Sequence, residues 1–267
     1  MHILLTNDDG IRSPGLWAAA EALSPLGWVT VVAPREQSSG AGRSLPPASD
    51  GVITEETLVV HGKPWKVYAV GGTPAQAVQH GVLEVMSQPP DLVVAGINYG
   101  ENLATGVTIS GTVGAALEGA ALGFPALAVS LETPKDYHLS YSREVDFSAA
   151  AHFTRLFAEK VLRTPLPEDV YVLKIDVPWR ATSETAWHIT RLARKRYYRP
   201  TRPSRTDWRQ PGTMGYEPGD PPETFDPRSD VYAVRVAKVV SVTPLSLDLT
   251  SRVDLDDLER LLKEATP

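Results

Sequence analysis

Residues 1–10, MHILLTNDDG, set a short apolar run directly before a cluster of polar residues. The apolar run is typical of a buried strand, and Gly10 lets the chain turn sharply after Asp8 and Asp9. Two adjacent carboxylates at the end of a buried strand repel each other and lose hydration, and a divalent cation relieves both costs. Hard oxygen ligands of this kind favour Mg²⁺ or Mn²⁺. The alternative is a plain turn that caps the next helix.

The first half of the chain alternates between strand-like and helix-like segments. The apolar patterns predict strands at 2–6, 28–33, 57–61, 65–70, 91–96 and 126–131, and helices at 13–23, 73–86 and 112–122. This order and the uniformly apolar strands predict an α/β fold, a mostly parallel sheet covered by helices. Because such sheets place their sites at the carboxyl ends of strands, we expect the site among residues 6–10, 34–44 and 96–112.

The pattern changes after residue 145. Helices are predicted at 147–163 and 254–264, and strand-like segments at 171–176 and 231–243. The stretch 188–230 is loop-rich and contains a basic run at 191–199, and we interpret it as an arm that packs on a partner subunit. The basic run could instead bind an acidic substrate. We therefore predict a catalytic domain at 1–187 and, at 188–267, an arm, a strand pair and a terminal helix.

Composition excludes several classes of function. The 267 residues carry a formal net charge of -6 and no cysteine. Disulfides, thiolate metal sites and cysteine nucleophiles are therefore excluded, and a broad basic surface for a nucleic-acid polymer is not expected. The amino terminus has no secretion-signal pattern, and no apolar run reaches the roughly 20 residues that span a bilayer. We expect a cytoplasmic protein that acts on small molecules, without a membrane or nucleic-acid partner.

Three further polar segments are candidates for the site. The Asn98 carboxamide offers a neutral metal ligand or a donor to phosphate. The Ser110-Gly111-Thr112 turn enters a predicted helix, whose free N–H groups and dipole favour a phosphate. In the loop at 34–44, hydroxyl groups could complete a metal shell, and Arg35 or Arg43 could face a phosphate. The alternatives are, in turn, a turn residue, an ordinary helix cap and a surface loop.

Several different short motifs follow one another along nearly the whole chain. They are Thr6-Asn7-Asp8-Asp9-Gly10, Ala33-Pro34 leading to Ser39 and Ser44, Gly72-Thr73-Pro74, Gly96-Ile97-Asn98, Ser110-Gly111-Thr112-Val113, Ala116-Leu117-Glu118-Gly119-Ala120 and Val240-Ser241-Val242-Thr243-Pro244-Leu245. Their order and spacing resemble the stationary-phase survival protein SurE family of metal-dependent nucleotidases. Each motif is weak alone, but together they are specific.

The resemblance implies a function and a set of site residues. The expected ligands of one Mg²⁺ or Mn²⁺ ion per subunit are Asp8, Asp9, Ser39 and Asn98, and the expected phosphate contacts are Asn98, Ser110, Gly111 and Thr112. Ser44 and Asn102 are further candidates for substrate contacts. The expected reaction is hydrolysis of nucleoside 5′- and 3′-monophosphates and of short polyphosphate. The family's Rossmann-like fold exchanges a carboxy-terminal arm between subunits, which implies a homodimer or homotetramer.

Alternative chemistries stay open at this point. A non-catalytic nucleotide-binding module and a phosphatase for other phosphates would use the same fold. Asp8 or Asp9 could accept a proton from water, or one of them could form a covalent aspartyl-phosphate. The adjacent carboxylates lack the D-x-D spacing associated with the covalent route. Two departures from the family pattern are Arg35, where an acidic residue is common, and the segment after Tyr198.

Overall fold

The computed structural model describes residues 1–138, 142 and 144–265. In chain order its strands are β1 (His2–Thr6), β2 (Trp28–Pro34), β3 (Ile53–Val60), β4 (Lys63–Val70), β5 (Leu92–Tyr99), β6 (Ala126–Leu131), β7 (Val172–Val177), β8 (Trp187–Ile189), β9 (Tyr198–Thr201), β10 (Gly215–Pro218) and β11 (Val240–Leu245). Its α-helices are α1 (Pro14–Leu23), α2 (Pro74–His80), α3 (Gly111–Ala121), α4 (Ser148–Arg163), α5 (Asp230–Tyr232) and α6 (Leu255–Glu264).

One large sheet organises the described part of the chain, with strand order β3-β4-β2-β1-β5-β6-β7-β11-β8. The strands from β4 to β7 run parallel to one another, whereas β3 and β11 pair antiparallel with β4 and β7. The predicted α/β fold with a mostly parallel sheet is therefore confirmed. Since β1 lies between β2 and β5, the loops that follow these three strands meet at one edge.

Helices cover both faces of the sheet because its central strands are apolar on both faces. Ile3 and Leu5 point to the side that packs α1 and α4, and Leu4 points to the side that packs α2 and α3. All three side chains are fully buried, and each such burial stabilises the fold by roughly 1.5–3 kcal/mol. This packing fixes β1 firmly and so fixes the start of the loop that follows it.

The helix starts agree with their sequence signals, and one helix end does not. Pro14 begins α1, and Thr73 and Gln76 form the predicted capping box of α2. The helix predicted over 73–86 was wrong in its second half. The α-helix ends at His80, and the chain continues through a π-helical turn at Gly81–Val85.

The carboxy-terminal region differs most from the prediction. The strand predicted over 231–243 was wrong at its start, because Ser229 caps a short helical segment and only Val240–Leu245 is extended. That strand, β11, lies inside the main sheet between β7 and β8, and the expected domain boundary after residue 187 falls within β8. No helix of the described residues is long and apolar enough to cross a membrane.

Two parts of this region stand apart from the main sheet. Strands β9 and β10 form a separate antiparallel hairpin. Helix α6 has no buried residue, although leucines line one of its sides. The hairpin lies within the stretch 188–230 that was interpreted as an arm, and α6 is the predicted terminal helix.

Candidate active site

The turn after β1 presents two acidic side chains. The Asn7 side chain donates to the Gly10 carbonyl at 3.0 Å and accepts from the Gly10 N–H at 3.2 Å. Gly10 has a φ of 94°, which side-chain-bearing residues rarely adopt. A turn and a metal site are therefore compatible in this segment. Asn7 and Gly10 form the turn, and the side chains of Asp8 and Asp9 are not needed for it.

Asp8 is 4% exposed and lies against the start of α3. Its Oδ1 accepts a hydrogen bond of 2.5 Å from the Thr112 hydroxyl. A Cβ at position 111 would lie 2.7 Å from the Asp8 Cβ, so only glycine lets the helix approach the carboxylate this closely. The predicted phosphate segment and the predicted metal ligand are thus in direct contact.

Asp9 is 2% exposed and is held between two loops. Its Oδ1 accepts from the Gln37 side chain at 3.1 Å, in the loop after β2. Its Oδ2 accepts from the backbone N–H of Tyr99 at 3.2 Å, at the end of β5. Each oxygen therefore has one neutral donor, and each donor lies on a different strand's carboxyl end.

The electrostatics of the pair disfavour two negative charges. Burial raises the pKa of Asp8, against hydrogen bonds from Thr112 and from the backbone at the start of α3. Burial also raises the pKa of Asp9 well above its usual range, and the charge of Asp8 raises it further, against hydrogen bonds from Tyr99 and Gln37. Without a cation, the pair therefore tends to keep a proton.

The arginines nearest in sequence to the site are paired elsewhere. Arg12 binds Glu56, and Arg35 binds Asp50 at 2.8 Å. Arg43 binds Glu118 on α3 at 2.6 Å, where Gln79 also donates. In this arrangement each of the two guanidinium groups pairs with a carboxylate, and the expectation that Arg35 or Arg43 faces a phosphate stays a prediction. Their contribution is to fix the loop after β2.

Asn98 lies near the end of β5, beside the Asp9 contact at Tyr99. Its side-chain NH₂ donates to the Gly100 carbonyl at 2.6 Å, so the carboxamide oxygen is the atom left for a cation. The strand bulges between Ala95 and Asn98. A Cβ on Gly96 would lie 2.3 Å from the Val129 carbonyl oxygen, so the bulge requires glycine there.

The Ser-Gly-Thr turn at the start of α3 was interpreted either as a helix cap or as a phosphate-binding turn. Ser110 is the helix cap, and its Oγ accepts from the Val113 N–H at 3.1 Å. Its own hydroxyl hydrogen stays available to donate. The Thr112 hydroxyl and the backbone N–H groups of Gly111 and Thr112 face Asp8, so a phosphate bound here would share these N–H groups with the carboxylate. A cap and a phosphate cradle are therefore compatible here.

Three predicted residues have their described contacts with groups other than the two carboxylates. Ser39 is exposed in the loop after β2, directly after Ser38, whose N–H donates to the Asp8 carbonyl at 2.7 Å. Ser44 is exposed, and its carbonyl accepts from Thr73. The Asn102 side chain donates to the Ser130 hydroxyl at 2.9 Å, inside the protein. The structure therefore shows direct contact between Asp8 and the start of α3, and the roles of Ser39, Ser44 and Asn102 stay predictions.

A buried ionic triad was missed by sequence analysis. Lys174 binds Asp176 and, at 3.3 Å, Asp230, and all three side chains are fully buried. Asp176 also accepts from the Asn102 N–H, and Asp230 accepts from the Ala104 N–H, both at 2.8 Å. The triad therefore fixes the loop after β5 from behind. The alternating charges in the otherwise apolar strand β7 were a signal, whereas Asp230 lies too far along the chain to be inferred.

A second network holds the same loop. Glu101 is buried and binds Arg235 and the Tyr198 hydroxyl, and Arg235 also binds Glu132 at 2.6 Å. Burial raises the pKa of Glu101 to about 7, against the charge of Arg235. No local sequence pattern marks Glu101, because its partners lie 97 and 134 positions away.

The residues present fit a divalent cation. The two buried carboxylates repel each other. Among the described residues, no positively charged side chain lies within ion-pair distance of either one. In the same part of the chain, no cluster of three or more His, Cys, Asp or Glu side chains has metal-site geometry. A cation would thus need two carboxylates completed by neutral oxygens, which is the expected donor set.

Fold and site together define an α/β protein with a paired carboxylate site beside a helix start. The sequence profile of a family described as "Survival protein SurE" matches residues 3–199. A "5′-nucleotidase SurE" of Thermococcus gammatolerans is 45% identical over 98% of this chain and 96% of its own. One of Archaeoglobus fulgidus is 45% identical over 97% and 96%. This chain belongs to the SurE family.

A solved structure supports the assignment at the level of the fold. The crystal structure of a SurE protein from Aquifex aeolicus superposes with a TM-score of 0.77 at 32% identity. The match covers 98% of this chain and 100% of that one. The resemblance found in the sequence motifs is therefore confirmed over nearly the full length, including the carboxy-terminal region.

Proposed function

We propose that this chain is a divalent-metal-dependent 5′-nucleotidase, which hydrolyses nucleoside monophosphates to nucleoside and phosphate. One observation carries the proposal. Two buried, adjacent carboxylates, which have no positively charged partner among the residues that the structure describes, lie in contact with the start of α3. A pair built in this way is costly without a cation. The printed names of the relatives supply the substrate class.

Each candidate residue has a part in the reaction. Asp8, Asp9 and Asn98 hold one Mg²⁺ or Mn²⁺ ion, and Ser39 completes the ligand set from the loop after β2. A bound divalent cation supplies Lewis-acid polarisation of the phosphoryl group and acidifies a water molecule. One of the two aspartates would accept the proton of the attacking water as the P–O bond to the nucleoside breaks, and a proton from solvent would complete the hydroxyl of the leaving nucleoside.

The start of α3 binds the transferred phosphoryl group. The Ser110 hydroxyl and the N–H groups of Gly111 and Thr112 donate to its non-bridging oxygens, where charge redistributes in the transition state. Asn98, Ser44 and Asn102 are further candidates for substrate contacts. We include nucleoside 3′-monophosphates and short polyphosphate among the substrates.

The proposal includes a homodimer or homotetramer and a cytoplasmic location. Helix α6 exposes Leu255, Leu258, Leu261 and Leu262, and the β9–β10 hairpin connection exposes Trp208. Exposed apolar groups of this size are typical of surfaces that bind a partner. We expect Leu258→Glu with Leu262→Glu to reduce the mass measured by light scattering, whereas Glu259→Gln should leave it unchanged. An unchanged mass in the double variant would contradict a role for α6.

The function is tested by phosphate release from nucleoside 5′- and 3′-monophosphates, sugar phosphates and tripolyphosphate, with Mn²⁺, Mg²⁺ or chelator. We expect release that requires metal and favours 5′-nucleotides. Release from sugar phosphates alone would indicate another phosphatase. Nucleotide binding without release under any metal would indicate a binding module.

A further inference from the structure

The side chain of Gln37 connects Asp9 to a third segment of the protein. Its Nε2 lies 3.1 Å from Asp9 Oδ1 and 3.1 Å from the carbonyl oxygen of His138. Both partners accept hydrogen bonds, so the two hydrogens of the amide are both used and its orientation is defined. A side chain without two donor hydrogens on one atom cannot replace this bridge.

Both ends of the bridge are fixed. Next to Gln37, the Ser38 N–H donates to the Asp8 carbonyl at 2.7 Å, which sets the distance between the two loops. The ring of His138 is held by Tyr216 at 2.7 Å and by the Thr133 carbonyl at 3.1 Å. The amide is therefore placed by backbone and hairpin contacts that do not involve Asp9.

The bridge restricts the orientation of the Asp9 carboxylate. One oxygen receives the Gln37 amide and the other receives the Tyr99 N–H, from two separate loops. A carboxylate held at both oxygens keeps its plane and loses little rotational entropy when it binds a cation. The Tyr99 contact comes from the backbone, so Gln37 is the side chain of this pair that substitution can remove.

We propose that Gln37 is a positioning residue, which orients Asp9 for the divalent cation through its bridge to His138. The proposal rests on the metal-dependent function proposed above. Loss of a partner that orients a metal ligand typically weakens metal binding or activity by about 10–100-fold. The expected defect is therefore in cation affinity, not in nucleotide recognition.

The test compares Gln37→Met with a matched control, Gln79→Met. Methionine keeps the length of the side chain and removes the donors. Gln79 also donates to a buried carboxylate, that of Glu118, at 2.8 Å, but it does not touch Asp8 or Asp9. For each full-length protein, free Mn²⁺ is measured by electron paramagnetic resonance during titration. Phosphate release from a nucleoside 5′-monophosphate is measured at several Mn²⁺ concentrations, with thermal unfolding as the check on folding.

We expect Gln37→Met to raise the Kd for Mn²⁺ by about 10-fold or more, with an unchanged KM at saturating Mn²⁺. Its activity should recover when Mn²⁺ is raised by the same factor, and Gln79→Met should bind Mn²⁺ like the wild type. An unchanged Mn²⁺ Kd in Gln37→Met, or an equal loss in both variants, would overturn the proposal. A wild-type protein that neither binds Mn²⁺ nor releases phosphate would instead contradict the proposed function itself.

Discussion

Two groups of buried acids in this protein are balanced in different ways. Asp176 and Asp230 share the ammonium group of Lys174, and backbone N–H groups donate to their remaining oxygens. Asp8 and Asp9 are almost as buried, but their donors are neutral. The first group is complete within the chain, and the second needs a charge from outside. We infer from this difference that the first group is a structural cluster and that the second belongs to the proposed active site.

The largest expected effect comes from removing the cation of the structural cluster. Lys174→Met would leave two buried carboxylates without a positive partner, which typically costs about 3–5 kcal/mol. We expect a loss of that order in the free energy of unfolding, measured with denaturant. Lys263→Met, at an exposed ion pair, serves as control and should stay within about 0.5 kcal/mol. A stable Lys174→Met protein would show that the triad is not the support we describe.

The second largest effect is expected on activity, when a carboxylate of the Asp8–Asp9 pair is removed. Asp8→Asn and Asp9→Asn each remove a charge from the pair, and we expect metal-dependent phosphate release to fall by at least about 100-fold. Without metal, these variants should unfold at the same temperature as the wild type or higher, because the buried repulsion is relieved. Asp176→Asn should lower the unfolding temperature instead. Wild-type turnover by either site variant would refute its assignment.

The pH dependence of stability tests the same difference between the two groups of acids. Asp9 has a folded-state pKa raised well above its ordinary value of 3.8, by burial and by Asp8. The folded state then holds the extra proton, so metal-free stability falls as pH rises from the ordinary pKa toward the raised one. We expect unfolding experiments without metal to find this fall in the wild type and a weaker fall in Asp9→Asn. Saturating Mn²⁺ should reduce the difference, and identical slopes in the two proteins would contradict it.

The smallest effect is expected at Glu101, whose contacts are intermediate between those of the two groups. Glu101 has a cation partner in Arg235, but its Oε2 has no partner among the described residues. With its pKa raised to about 7, mainly by burial, the wild type should lose stability relative to Glu101→Gln as pH rises toward 7. We expect the two free energies of unfolding to differ by about 1 kcal/mol at neutral pH. A much larger loss in Glu101→Gln would place Glu101 with the structural cluster.

The sequence predicted local features of the site better than its long-range support. Asp8, Asp9 and the Ser110–Thr112 turn follow apolar strands or precede a helix, so strand and cap patterns were enough to find them. Gln37 donates to the carbonyl of His138, 101 positions later, and Asp230 pairs with Lys174, 56 positions earlier. No local pattern marks such partners, because they depend on how distant segments pack.

Errors in the fold prediction have a similar cause. The apolar run at 231–243 contains β-branched residues and resembles a strand, yet Ser229 caps a helical start there. The Asp230 contacts with Ala104 and Ala193 hold that start in place. Tertiary hydrogen bonds thus outweighed local strand preference. The parallel sheet itself was predictable because its strands are short, apolar and separated by amphipathic or capped helices.

We propose that Asp8 and Asp9 hold a divalent cation. This proposal is tested most directly by a crystal structure of the protein grown with Mn²⁺, with anomalous scattering recorded at the manganese edge. We predict one strong peak per chain, bound by oxygens of Asp8 and Asp9 at roughly 2.0–2.3 Å, with Asn98 on the same ion. A peak elsewhere, or Asp8 and Asp9 unchanged and without a peak at saturating Mn²⁺, would contradict the claim.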